Sequence, residues 1–224
     1  MSIKYAPFIR AVRTKKGVLQ ADLATKLGMS RASYISVEQG KRELTLGEFE
    51  KLSAALGVSL ADLERGEQPN YAKYRQMILA FLRQGKKIPK TKLAKLLYFA
   101  DFAWYYVHLE SMSGMQYRKI AYGPVADAYF RIIDEMFDSG EIAIEQTSEG
   151  AMLISQTRSG AKAALPDITP EQAKLITAIE KKWQGKKTKE IVDFVHQQFP
   201  YLFAHDNEFV SYEIFTQENP DEIY

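Results

Sequence analysis

Positions 90 to 110 read KTKLAKLLYFADFAWYYVHLE, a stretch that is amphipathic at its start, with Lys92 and Lys95 marking an exposed beginning, and apolar on every side from Leu96 onward. A helix that presents apolar residues around its whole circumference persists in water only when other elements surround it. The apolar run from Leu96 to Val107 falls well short of the roughly 20 residues that cross a bilayer, and Asp101 sits at its middle. It therefore reads as the central helix of a folded domain, with no membrane span. A carboxylate in such a place needs a partner or a shifted pKa. The expectation for Asp101 is a structural acid paired with a basic or hydroxyl group.

The neighbouring segments supply what would wrap this helix. YAKYRQMILAFLRQG, from Tyr71, is amphipathic with Ile78, Phe81 and Leu82 on one face. YRKIAYGPV, residues 117–125, is aromatic and alternating, so it reads as extended; Gly123 is expected in extended geometry before Pro124, and Pro124 in the first turn of a helix. That helix, ending at Ser139-Gly140, places Tyr129, Ile132, Ile133 and Met136 on one stripe. EIAIEQ and AMLISQ alternate around Thr147-Ser148-Glu149-Gly150, the pattern of a β-hairpin. Thr169-Pro170-Glu171-Gln172 starts one further helix and Thr188-Lys189-Glu190 another, the latter expected to end at Pro200. The fold class expected is mainly α with a small β-hairpin: a larger α-rich (α+β) domain at 71–216, closed by the polar tail QENPDEIY at 217–224.

Ahead of this domain lies a polar, aperiodic break that contains Gly66 and Pro69, and residues 67–70 read as a linker. Residues 1–66 form a separate five-helix bundle by periodicity: an opening helix around Phe8, Ile9 and Val12, two short helices meeting at Gly28, LGEFEKLSAALG, and SLADLERG capped by Ser59. Leu23, Ala24 and Leu27 share a face of the second helix, Gly28 ends it, and Ser30 caps the third. On the third helix Tyr34 and Val37 point inward, while Ala32, Ile35 and Ser36 face away, flanked by Arg31 and Ser33. A small, hydrogen-bonding outer face suits entry into the DNA major groove. Charge agrees with this. Residues 1–66 hold eleven Lys and Arg against seven Asp and Glu, a net +4, so the rest of this +2 chain carries −2. A basic head on a mildly acidic body is the footprint expected when only the head meets phosphates.

The pattern Q-A-D-L-A-x-K-L-G-x-S-R-A-S-x-x-S-x-E-Q-G-K-R, followed by L-x-x-L-G-V-S-L-x-D-L, resembles the helix-turn-helix of the Xre/Cro/CI repressor family across residues 5 to 66. The resemblance implies a DNA-contacting set of Gln20 at the start of the second helix, Ser30, Arg31, Ala32, Ser33 and Ser36 on the recognition helix, and Lys41 with Arg42 on phosphates. It also implies a structural ion pair between Arg13 and Glu38, and a homodimer on double-stranded operator DNA. Leu19 departs from the family pattern, standing where a capping Ser, Thr or Asn is usual.

The larger domain carries a second resemblance. K-L-x-K-L-L-Y-F-A-D at 92 to 101, A-Y-G-P-V at 121 to 125 and P-Y-L-F-A-x-D-N-E-x-x-S-Y-E-x-F at 200 to 215 are similar to the Panacea (SocA-like) domain. The resemblance implies an antitoxin of a type II toxin-antitoxin system. Its partner would be a cognate protein toxin encoded by an adjacent gene, bound and neutralised by occlusion, while the head autoregulates the operon. Tyr122, beside the Gly-Pro turn, is the residue chosen as a toxin anchor, because aromatic anchors commonly carry interface energy. Two alternatives stay open: a one-component transcriptional regulator whose second domain senses a small molecule, and a second DNA-binding module, since a helix followed by a hairpin reads like a winged helix.

Other chemistry finds little support. The chain has no cysteine, which excludes disulfides and thiolate metal sites and points to a reducing, cytoplasmic setting. The N-terminal segment lacks the apolar run of a secretory signal. The histidines, His108, His196 and His205, lack metal-ligand spacing. No nucleophile elbow, phosphate loop or paired-carboxylate motif occurs, so neither an enzyme nor a cofactor is expected.

Overall fold

In a computed structural model, which describes residues 5–58, 69–83 and 86–224, the helix starts and stops of the head fall where capping chemistry places them. Helix α1 spans Ala6–Lys15, α2 Gln20–Leu27, α3 Arg31–Glu38 and α4 Leu46–Leu56. Gly28 closes α2 at φ 75°, a left-handed conformation that costs glycine little. Ser30 then accepts a hydrogen bond from the Ser33 amide at 3.1 Å and opens α3. Thr45 and Glu48 cap α4 reciprocally. Leu19 gives α2 no side-chain cap, a deficit of about 1 kcal/mol against a Ser or Asp there. The faces meet in one core of Phe8, Ile9, Val12, Leu23, Leu27, Tyr34, Val37, Leu52 and Leu56. The expected fifth helix, SLADLERG, and linker residues 67 and 68 lie outside the described residues.

The chain divides into two units, Met1–Gln68 and Pro69–Tyr224. In the second, α5 (Tyr71–Leu82) is capped by Asn70 and is followed by the short strand β1 (Ile88–Pro89) and the central helix α6 (Lys90–His108). Every residue of α6 from Leu93 to Tyr105 is buried. It is wrapped by α5, by β5 (Met152–Gln156), by α9 (Pro170–Trp183) and α10 (Thr188–Val195), and by the short helix α12 (Tyr212–Phe215). Lys95 corrects the sequence reading: it lies on the buried part of the helix, not at an exposed beginning, because a carbonyl from a later segment receives its ammonium.

That segment departs from expectation in two further ways. Tyr117–Arg118 (β2) pairs antiparallel with Val125–Ala126 (β3), in the register Tyr117 to Ala126 and Arg118 to Val125. The backbone after Pro124 is thereby committed to a strand, and helix α7 starts only at Tyr129, running to Asp138. Gly123 has φ 89° instead of an extended conformation, since the chain turns sharply there and its amide bonds to the Ile120 carbonyl at 2.9 Å.

The hairpin β4 (Ile142–Gln146) with β5 pairs Ile144 to Ile154 and Gln146 to Met152, and β1 adds to its other edge, making a three-stranded sheet in the order β1-β5-β4. Helix α8 spans Arg158–Lys162. Helix α10 ends at Val195, and Pro200 opens the separate short helix α11 (Phe199–Phe203); a proline lacks only a donor that the first turn does not use.

The two tryptophans, Trp104 and Trp183, belong to the larger unit, so their fluorescence follows its unfolding alone. Ile133, fully buried on α7, provides the probe. Ile133→Val lowers the stability read by tryptophan fluorescence by about 0.5–1.5 kcal/mol and leaves the head's helical melting unchanged. An equal loss in both transitions would contradict independent units.

Candidate functional site

On the head, α3 presents Arg31 and Ala32 to solvent and Ser33, Ile35 and Ser36 partly so, while Tyr34, Val37 and Glu38 are buried. Ser30 and Ser33 hydroxyls lie 2.9 Å apart, and the Ser36 hydroxyl donates back to the Ala32 carbonyl at 3.1 Å.

The orientation of that face depends on Glu38. Its carboxylate receives the Arg13 guanidinium at 2.5 Å on one oxygen and 3.2 Å on the other, the Tyr34 hydroxyl at 2.8 Å and the Gln20 amide at 2.9 Å. Three helices are thus tied to one acid. Burial pushes the Glu38 carboxyl up, but the hydrogen bonds from Arg13, Gln20 and Tyr34 outweigh it and hold the pKa below the ordinary value. Gln20 gives an amide N–H to Glu38, and its carbonyl oxygen accepts from the Arg31 guanidinium at 3.5 Å.

Lys41 is exposed, whereas Arg42 is engaged by Glu48 at 2.7 Å and by the Met29 sulfur at 3.4 Å. The capping acid of α4 therefore sets the position of Arg42, a role that spacing alone did not indicate.

In the larger unit, Tyr122 is 67% exposed and stands at a cleft of about 410 Å³. Phe130 and Met152, 50% and 46% exposed, line the same cleft. Beneath them lie Val125, Tyr129, Ala94 and the side chain of Lys95. The Tyr129 hydroxyl donates to the Lys90 carbonyl at 2.7 Å, and the Lys90 ammonium sits 5.2 Å from the Phe130 ring centre. Lys95 is fully buried and donates to the Pro124 carbonyl at 2.7 Å; burial lowers its pKa to about 7. Sequence reasoning reached Tyr122 but missed Lys95, Phe130 and Met152. One signal was available: Lys95 lies between Ala94 and Leu96 with Leu93 nearby, an apolar context for an ammonium.

Tyr98, Tyr105 and Tyr117 are buried in the core, and Tyr106 is partly buried against it. Asp101 accepts from the Ser113 amide at 2.7 Å, the Ser113 hydroxyl at 2.5 Å, the Tyr117 hydroxyl at 2.6 Å and the Ser111 hydroxyl at 3.1 Å. It anchors the 111–117 segment to α6. The lysines flanking β1 are also engaged: Lys86 pairs with Glu180, Lys87 with Glu145 at 2.7 Å, and Lys92 donates to the Trp183 and Lys186 carbonyls. Among the described residues, no group of three or more His, Asp or Glu side chains could hold a metal ion, and no helix is long and apolar enough to cross a membrane.

Comparison with known proteins divides along the chain. The helix-turn-helix family model matches residues 9–63, and that of the antitoxin SocA-like, Panacea domain matches residues 93–200. Control protein C.MunI of Mycoplasma sp is 34% identical over 64 residues, which cover 28% of this chain and 86% of that protein. No solved structure matches the chain. Neither family description names an enzymatic activity.

Proposed function

Since the chain belongs to the helix-turn-helix family through residues 9–63 and to the SocA-like Panacea family through residues 93–200, we propose that it is the antitoxin of a type II toxin-antitoxin pair. Its larger unit binds a protein toxin encoded by an adjacent gene and neutralises it by covering its active or target-binding surface. Its head, as a homodimer, binds operator DNA and represses the shared operon. The observation that carries this reading is the fusion itself: a helix-turn-helix head with an exposed α3 face and an antitoxin-family unit in one chain.

Growth of cells expressing the neighbouring gene, with and without this chain, is the test. The neighbour is expected to arrest growth alone, and co-expression of the full chain to restore it through a complex that co-purifies. A harmless neighbour and no complex would remove the antitoxin reading in favour of a regulator that senses a small molecule.

Operator binding has its own signature. The DNA-contacting set is Gln20, Ser30, Arg31, Ala32, Ser33, Ser36 and Lys41, with Arg42 reaching phosphate only alongside its bond to Glu48. Replacing Arg31 by Ala is expected to cost about 1–3 kcal/mol of discrimination between operator and unrelated DNA. Lys41→Ala weakens binding to both and reduces the salt slope by about 1. Binding isotherms across a salt series separate the two outcomes. Equal loss on all sequences for Arg31→Ala would assign that side chain to phosphate.

A further inference from the structure

Between Ile132 and Thr157 the chain carries six acids, Asp134, Glu135, Asp138, Glu141, Glu145 and Glu149, and no lysine, arginine or histidine. This stretch is most of α7 and the whole β4-β5 hairpin. Its place in the topology is that of a DNA reader. The chain runs α5, β1, α6, α7 and hairpin, with β2 and β3 inserted before α7 and the sheet ordered β1-β5-β4. A winged helix has this order, and there the helix before the hairpin enters the major groove. The charge forbids that use here, because phosphates repel an acidic helix.

Three of the acids are engaged within the unit. Glu135 pairs with Arg75 and Arg131, Glu141 with Arg75, and Glu145 with Lys87. The carboxylates of Asp134, Asp138 and Glu149 are exposed and pair with no described residue. Folding does not ask for the two aspartates. They are like charges four residues apart in the C-terminal half of α7, where both their mutual repulsion and the helix dipole disfavour them. Phe130 and Phe137, 50% and 47% exposed, share their side of the helix, all four lying within an arc of about 100°. Phe130 lines one cleft with Met152 and Gly150, so this face continues onto the hairpin tip that carries Glu149.

We propose that the outer face of α7, continued by the hairpin tip, is where the larger unit docks its protein partner, and that the partner meets it with a basic surface. Phe130 and Phe137 bury against apolar atoms of that partner, and Asp134, Asp138 and Glu149 receive its lysines or arginines. The unpaired acids select the occupant, since they repel nucleic acid and acidic proteins and speed the approach of a basic one. The two phenylalanines hold it, as buried aromatic anchors do at interfaces. This assignment rests on the neutralisation reading and adds the face that holds the toxin and the charge of its counterpart.

The test measures association and dissociation rates of the full chain with the neighbouring gene product across a salt series. Tryptophan fluorescence checks that each variant is folded. Asp134→Lys together with Asp138→Lys is expected to lower the affinity about tenfold or more, through slower association, and to flatten its salt dependence. Lysines suit the C-terminal half of a helix, so the pair does not threaten folding. Phe137→Ala is expected to lower the affinity about tenfold through faster dissociation. Glu110→Lys together with Glu171→Lys makes the same charge change at exposed positions elsewhere on the unit and should leave the affinity unchanged. Unchanged affinity for the Asp134 and Asp138 pair or for Phe137→Ala overturns the docking face, and the antitoxin reading stands as long as the wild-type complex forms. If that pair instead strengthens operator binding while toxin affinity holds, the face belongs to the chain's own basic head. An equal loss for the Glu110 and Glu171 pair also overturns it, because net charge and not this face then governs binding. Absence of any wild-type complex removes both readings.

Discussion

Replacing Asp101 by Ala is expected to destabilise the larger unit by about 1–3 kcal/mol for each buried donor that is left without an acceptor. The loss comes from the donors left behind. The Tyr117 hydroxyl can fall back on the Leu97 carbonyl, 3.1 Å away. The Ser113 amide has no such freedom: it lies buried, 2.7 Å from Asp101, and an unpaired amide there costs about 1–3 kcal/mol by itself. Asp101→Asn keeps one carbonyl oxygen for that amide and lets the hydroxyls accept from its NH₂, so it costs much less. Urea unfolding followed by tryptophan fluorescence reads both variants. Equal losses for Ala and Asn would mean that the charge, and not the acceptor geometry, holds the segment.

The pH dependence gives this network a sign. Burial pushes the Asp101 carboxyl up, and the bonds from Ser113, Tyr117 and Ser111 only partly offset it, so the folded pKa lies above the ordinary 3.8. Between those two values the folded chain holds a proton that the unfolded chain has lost. Stability from this group is therefore greatest below pH 3.8 and declines as pH rises through the folded pKa. Wild type is expected to lose ground to Asp101→Asn over that rise.

The head should respond even more visibly to Glu38→Ala. That change strands the Arg13 guanidinium, whose side chain is 12% exposed, together with the Tyr34 hydroxyl and the Gln20 amide. A cost of about 3–5 kcal/mol follows from leaving a desolvated charge without its partner. A unit of this size has a small core and a correspondingly small stability margin. Unfolding of the head at 37 °C is the expected result, with operator binding lost and the tryptophan-detected transition of the larger unit unmoved. Glu38→Gln, which keeps an acceptor for Arg13, should recover part of the helical signal. A folded Glu38→Ala head that still bound operator would show that packing of Tyr34 and Val37 alone orients α3. The carboxyl behaves oppositely to Asp101 in acid: its folded pKa is depressed, so its contribution is complete above the ordinary 4.5 and is lost as pH falls through the folded value.

Much of this protein was determined locally and could be read from the order of its residues. Gly28 and Ser30 mark the end of α2 and the start of α3 because left-handed geometry and an N-cap are one-residue decisions. The outward Ala32 and inward Tyr34 and Val37 follow from a period of about 3.6 residues on a helix with one wet side. The hairpin follows from alternation, and the apolar circumference of α6 demanded the elements that wrap it. Tertiary structure decided what depends on a partner far along the chain. Lys95 looks like a surface residue until the Pro124 carbonyl, from a segment 29 residues later, is found to receive it. Gly123 turns instead of extending because β3 must return to pair with β2, and β1 becomes a strand only because the edge of β5 is open to it. Arg42 faces Glu48 because α4 begins where it does. Periodicity records which side of an element is apolar, but it holds no information about which buried carbonyl or carboxylate another element will bring to a lysine or an arginine, and in this protein those encounters bury Lys95 and position Arg42.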